Sequence, residues 1–325
     1  MPKILITCVH LTRHFDSFRQ QYEDAGIEVV IPPLEGQQFS ASEMAHHIIG
    51  VDAVIAGDDD IDATVLDAGK ASCLKAVIKW GIGTDGIDKA HAAHLGIPVY
   101  NTPGVFGEEV ADLALSHLLM LARKTHLMDR SIRDGGWLKA EGRSLSGLTA
   151  GVIGLGSIGR AIARRATAFG MHAVGYDVME IDNGELAAIG ATQIALNTVF
   201  EQSDVLFLAC ALTSENHHLI DQKTISKMKP QAFIINVSRG PLIDEAALAD
   251  ALTEGRVAGA GLDVFEQEPL PANSPLHKHQ DRCTFSTHNG SNTAEAVKRI
   301  NQMTTDIAFD VLGLKQAAFV ANKVA

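Results

Sequence analysis

Four chargeable side chains in the carboxyl-terminal half stand where chemistry could be done. Each follows a short apolar run that reads as a β-strand. "AFIINVS" leads to Arg239, "VAGAGLDVF" carries Asp263 and is followed by Glu268, and "CTFST" leads to His288. In an open parallel sheet, ligands gather at the carboxyl ends of the strands. A cation, carboxylates and an imidazole collected there could bind a carboxylate, orient a base and move a proton. Such a set suits oxidation of an α-hydroxy acid, provided that another group takes up a hydride.

A glycine-rich stretch earlier in the chain offers a place for that group. "LTAGVIG" reads as a strand, Gly154, Gly156 and Gly159 hold the GxGxxG spacing, and "SIGRAIARRATAF" reads as the helix that follows. The first glycine allows a tight turn, the second lets backbone approach a pyrophosphate, and the third lets helix pack on strand. The helix N-terminus at Ser157 and Ile158 supplies N–H groups for the phosphates. Ile158, Ala161, Ile162, Ala166 and Phe169 are expected to form the packed face of that helix. The next run, "MHAVGYD", ends on Asp177. An acid about 20 residues past the fingerprint binds the ribose 2′-hydroxyl and repels the 2′-phosphate of NADP, so the expected cofactor is NAD.

These groups need a scaffold. The first hundred residues alternate strand and helix. "KILITCV", "IEVVIP", "DAVIAG", "LKAVIKW" and "IPVYNT" read as strands, and the stretches between them as helices. Ser40 with Glu43 fits a capping box, and Asp62 fits a helix cap. Such alternation means a parallel sheet with right-handed crossovers. A long helix over 106–124 carries acids in its first turn and cations in its last, as the macrodipole favours. Its middle is apolar nearly all round, which predicts burial between domains or subunits. A second strand–helix series runs from about 148 to 290, and a mostly helical tail follows, ending on the apolar "AAFVAN". The expected organisation is one domain from 1–103 with 291–325 and another over 104–290, with cofactor and substrate meeting in a cleft.

Bulk properties narrow the classes. The net charge of −12, with no basic run, argues against nucleic acid and against an anionic membrane surface. No apolar stretch is long enough to span a bilayer. Cys8, Cys73, Cys210 and Cys283 are far apart and read as reduced core residues of a cytoplasmic protein. His277, His279 and Cys283 lack regular ligand spacing and a fourth partner, so no metal is expected. "GDDD" at 57–60 reads as a solvated loop and helix start.

Taken in order, several stretches resemble the NAD-dependent D-2-hydroxyacid dehydrogenase family, especially its phosphoglycerate dehydrogenase-like branch. They are "GIGTDGID", "GIPVYNTPG", "EVADLALSHLLMLAR", "GVIGLGSIGR", "INVSRGPLIDEAAL", "GAGLDVFEQEPL" and "STHNG". The resemblance implies an α/β fold of two doubly wound parallel-sheet domains, a flavodoxin-like substrate domain and an inserted Rossmann NAD-binding domain. It implies that Arg239 holds the substrate carboxylate, that His288 exchanges a proton with the C2 oxygen, and that Glu268 orients the imidazole and raises its pKa. Backbone N–H groups around Ile82 and Gly83 would bind the carboxylate as well. Asp263 would contact the nicotinamide carboxamide, and Cys210, Ala211, Val237 and Ser238 are further cofactor positions. A homodimer through the 106–137 region is also implied. Departures from the family pattern are Thr287 and Asn289 beside His288, "LACALT" at 208–213, Asp112 in place of glutamate, and acids rather than arginine at 58–60. Two rivals share the scaffold: a formate-dehydrogenase-like enzyme, disfavoured by Glu268, and an NAD-sensing corepressor with little turnover.

Overall fold

Apolar runs become strands. β1 (Lys3–Ile6), β2 (Glu28–Val30), β3 (Ala53–Ala56), β4 (Ala76–Lys79) and β5 (Val99–Asn101) pair parallel in the order β5-β4-β3-β1-β2. A two-residue strand, Asn322–Lys323, adds antiparallel to β5. This is the computed structural model of the chain, and it describes residues 1–36, 38–317 and 321–325. β3 and β4 are buried at every position, as strands covered by helices on both faces must be.

A second sheet contains β6 (Thr149–Ile153), β7 (His172–Tyr176), β8 (Ala191–Gln193), β9 (Val205–Leu208), β10 (Ala232–Asn236), β11 (Val257–Leu262) and β12 (Cys283–Phe285). The order is β12-β11-β10-β9-β6-β7-β8, and every pairing is parallel. Each sheet reverses its winding once, between β1 and β3 in the first and between β6 and β9 in the second. Those switch points open crevices at the strand carboxyl ends. The chain divides into two compact units, Met1–Val105 with Thr293–Ala325, and Phe106–Asn292.

The helix Gly107–Arg123 belongs to the second unit and buries a stripe that includes Val110, Ala111, Ala114, Leu118 and Leu121. It crosses β11, where small residues let it approach: a Cβ on Gly259 would meet Leu121 Cδ2 at 3.2 Å. In the first unit the helix Ala294–Val311 packs on β3 and β4. There the buried Asn301 accepts a hydrogen bond of 2.7 Å from the Trp80 indole.

Several local expectations change. "KILITCV" leaves the sheet after Ile6, because a short helix, Val9–Arg13, starts at once on the Cys8 cap. Phe169 falls one residue beyond the helix Ser157–Ala168 and is exposed rather than packed. Cys73 caps a surface helix and is exposed, and Cys210 is half-buried, so only Cys8 and Cys283 are core thiols. Asp59, expected in solvent, is buried. Its carboxylate accepts from the Phe39 and Gly57 N–H groups at 2.9 Å each and from the Thr7 hydroxyl, which satisfies a buried charge. The tail is helical only to Val311, and residues 318–320 of its apolar stretch lie outside the described residues.

Candidate active site

The turn after β6 has the shape of a dinucleotide cradle. Gly154 has φ +93°, and a Cβ there would lie 2.6 Å from Cys210 N, so the loop lies hard against the end of β9. A Cβ on Gly159 would lie 1.8 Å from the Gly154 carbonyl oxygen, so only glycine lets helix meet strand. Over Gly156 a Cβ would meet nothing within 4 Å. That leaves open space at the amino end of the helix Ser157–Ala168, where N–H groups favour phosphate. Asp177, at the end of β7, accepts from Leu155 N at 2.7 Å and from Met179 N at 3.0 Å. The acid thus also braces the glycine loop. These residues fit a dinucleotide.

Across the switch point the other expected cofactor positions are tied together. Ser238 donates its hydroxyl to the Cys210 carbonyl, and the Asn216 amide donates to the Ala211 carbonyl at 2.7 Å. Val237 is buried beside them. Burial pushes the Cys210 thiol up to about 11, so it is a neutral wall residue.

Three chain segments converge around β10, β11 and β12. Arg239 directly follows the β10 turn, which the Asn236 side chain closes by donating to the Arg239 carbonyl at 2.8 Å. Its guanidinium donates back to the Ser238 carbonyl at 2.8 Å. Next comes Gly240, where a Cβ would lie 1.8 Å from the Phe265 carbonyl carbon. That contact presses the Arg239 turn against the segment leading to Glu268. Glu268 Oε1 accepts from Phe265 N at 3.0 Å, and its Oε2 lies 2.8 Å from His288 Nδ1. A carboxylate only accepts, so Nδ1 carries the hydrogen and Nε2 is the ring nitrogen left to exchange a proton. Both side chains are partly open to solvent, at 24% for Glu268 and 31% for His288.

His288 holds an uncommon backbone conformation, φ +51°. Asp263 keeps it there. The Asp263 carbonyl accepts from His288 N at 2.7 Å, and its buried carboxylate accepts from Asn289 N at 2.8 Å and from Gly290 N at 3.0 Å. Asp263 is thus a clamp on the histidine turn. Asn289 and Thr287 are exposed, and the Asn289 side chain accepts from Asn292 Nδ2 at 2.7 Å.

Ile82 and Gly83 belong to the first unit. Their loop is pinned by the Asn101 amide, which donates to the Ile82 carbonyl at 2.8 Å, and by two hydrogen bonds between Gly81 and Thr102. The zinc candidates are engaged elsewhere: His277 with the Pro271 carbonyl and His279 with Thr253. Among the described residues no helix is long and apolar enough to cross a membrane.

Residues 115–290 match the family model described as the NAD binding domain of the D-isomer specific 2-hydroxyacid dehydrogenases. The chain belongs to that family. NAD is its cofactor, and the cradle after β6 fits it. A glyoxylate reductase of Thermofilum pendens is 37% identical over 303 residues, covering 91% of this chain and 88% of that one. A D-3-phosphoglycerate dehydrogenase of Mycobacterium tuberculosis is 37% identical over 266 residues, which is 81% of this chain and 49% of that protein. In three dimensions, D-lactate dehydrogenase of Escherichia coli superposes with a TM-score of 0.81 at 29% identity, over 99% of this chain and 100% of that one. This dehydrogenase thus resembles relatives that act on different small acids.

One residue escaped sequence reading. His117 sits on the helix Gly107–Arg123, buried beside the β12 turn. Its signal was available: a single histidine within an otherwise apolar stripe.

Proposed function

We propose that this enzyme reduces a short, unphosphorylated 2-keto acid such as glyoxylate or hydroxypyruvate with NADH, and oxidises the matching D-2-hydroxy acid in reverse. The observation that carries the reaction is the His288–Glu268 pair at 2.8 Å, held beside the Arg239 turn by the backbone contact at Gly240. NAD, when bound, supplies the hydride chemistry at the substrate C2. The protein does the rest. Arg239 takes the substrate carboxylate in its fork of donors and polarises the C2 oxygen. His288 gives that oxygen its Nε2 proton during reduction and takes it back during oxidation. Glu268 fixes the ring and favours the imidazolium. Backbone N–H groups of Ile82 and Gly83 take the carboxylate in the first unit. Gly154, Gly156, Ser157, Ile158, Gly159 and Asp177 hold the dinucleotide, and Cys210, Ala211, Val237, Ser238 and Asp263 border its nicotinamide end.

The substrate choice rests on charge after β3. A phosphorylated substrate needs a cation there, and the chain offers Asp58, Asp59 and Asp60. The buried amine of Lys79, beside them, is tied to Asp58 at 2.8 Å and to the Gly57 carbonyl at 2.6 Å. That arrangement favours the glyoxylate reductase kind of substrate over a phosphoglycerate. An NADH-oxidation assay against glyoxylate, hydroxypyruvate, pyruvate and 3-phosphohydroxypyruvate tests the reading. Highest kcat/KM for one of the first two supports it, and preference for the phosphorylated acid overturns it.

We also propose that the enzyme pairs with a second copy of itself through the 106–137 region. The helix Thr125–Arg133 buries none of its residues, and Ile132, Trp137 and Leu138 are exposed apolar side chains. An apolar groove of about 600 Å³ lies nearby, lined by Leu115, Leu119, Met120 and Phe169 among others. Sedimentation of Trp137→Asp against the parent chain tests it, with a shift from dimer to monomer expected.

A further inference from the structure

His117 is 1% exposed and polar in a stripe that apolar residues otherwise fill. Its Nδ1 lies 2.7 Å from Thr284 Oγ1 and its Nε2 lies 2.9 Å from Ser286 Oγ. Ser286 Oγ lies 2.6 Å from Asp263 Oδ1, the oxygen that also receives the Asn289 N–H. Hydrogen-bond inventory fixes the direction of this chain. A carboxylate can only accept, so Ser286 gives its proton to Asp263. Ser286 can then only accept from His117, so Nε2 carries the hydrogen. Nδ1 is left as an acceptor for the Thr284 hydroxyl. Every member is satisfied by a neutral imidazole, and burial disfavours the charged form although Asp263 pulls the other way. The strand makes room for the ring: a Cβ on Gly261 would lie 2.5 Å from His117 Cβ.

Two links join this chain to the proposed proton donor. Ser286 holds Oδ1 of Asp263, and the Asp263 carboxylate holds the Asn289 and Gly290 N–H groups. Between Ser286 and Asn289 stands His288, in its left-handed conformation with its ring on Glu268. Local strain of this kind persists only where the surroundings over-determine it. We propose that His117 is a positioning residue: as a neutral Nε2–H tautomer it orients Ser286 and Asp263, and so keeps the His288 turn set for proton transfer. This rests on the function proposed above. An apolar residue in its place would fill the stripe but leave Ser286 without a donor.

The test uses full-length protein, NADH and glyoxylate. His117→Leu should lower kcat roughly tenfold, leave both KM values within about twofold, and displace the alkaline limb of the kcat–pH profile. His117→Gln, whose amide can again donate to Ser286, should recover most of the rate. Unchanged kcat and pH profile in His117→Leu, or no recovery in a folded His117→Gln, overturns the proposal. Should His117→Leu not fold, Ser286→Ala, which removes the link between Nε2 and Asp263, is held to the same criterion. A second readout needs no turnover. In ¹⁵N-histidine-labelled wild type, with His117→Gln used for assignment, the His117 ring should show a neutral Nε2–H tautomer across about pH 6 to 8. An Nδ1–H tautomer or an imidazolium there overturns the proposal. Absence of turnover with any 2-keto acid would instead refute the function, and the tautomer would still decide the network.

Discussion

The strand ends of the two sheets are built differently. After β10, β11 and β12 the turns are locked to one another: Gly240 against Phe265, Glu268 on the Phe265 N–H, and the Asp263 carboxylate around residues 289 and 290. After β1 and β3 the charged groups are tied in local pairs. Lys79 meets Asp58, Asp59 braces its own turn, and His10 stacks on Trp80 at 4.6 Å. The first arrangement fixes geometry to the tolerance that proton transfer needs. The second, on the proposed function, sets the charge that a substrate would meet. On the function proposed above, the second-unit corner sets the reaction type and the first-unit loops set the substrate choice.

The contrast can be broken most forcefully at His288. His288→Ala should lose roughly 10²–10⁴ in kcat for keto-acid reduction, the usual share of acid–base catalysis. A loss confined to KM would show that the imidazole binds rather than transfers. Gly240→Ala tests the locking itself. Its Cβ cannot sit 1.8 Å from the Phe265 carbonyl carbon, so the two turns must part. A fall in kcat of about 10²-fold is expected, along with a lower Tm. Near-native kcat would mean that the corner tolerates displacement. At the cofactor end, Asp177→Ser should narrow the preference for NADH over NADPH by roughly tenfold, read as the ratio of kcat/KM values. A parent enzyme that uses NADPH equally well would contradict the role of the acid. The smallest effect belongs to the first unit. Arg13 is exposed on the short helix after β1, and we propose that it reads a second anion on a longer substrate. Arg13→Ala should raise KM for a 2-keto dicarboxylate by a few-fold, roughly, and leave glyoxylate unchanged. An equal effect on both, or on neither, removes it as a tail reader.

The sequence made the second-unit corner legible because its chemistry and its geometry share one signal. A buried parallel strand is a continuous apolar run, and ligands gather where it ends, so Arg239, Asp263 and His288 stand out as candidates at strand ends, and the family resemblance supplies the roles expected of them. GxGxxG carries its own mechanism in the same way. Contacts made by backbone escaped. That Asp177 braces the loop of Leu155, and that Asp263 clamps the histidine turn, depends on N–H groups that have no letter in the sequence. Asp59 was misread for the same reason, since a run of acids looks solvated until backbone donors are seen around one of them. His117 stands in the sequence as a lone histidine in an apolar stripe, and its role depends on the partners Thr284 and Ser286, which lie far away in the chain.

The pH dependence of catalysis tests the central pair most directly. In the proposed mechanism reduction requires His288 protonated, and the Glu268 carboxylate 2.8 Å from Nδ1 favours that form. In Glu268→Gln the negative charge is gone, so the imidazole loses its proton more readily. Measured as kcat for glyoxylate reduction by NADH across pH, the alkaline fall should then begin at lower pH than in the parent enzyme. An alkaline limb that stays where it was would contradict the assignment of His288 and Glu268 as the proton-transfer pair.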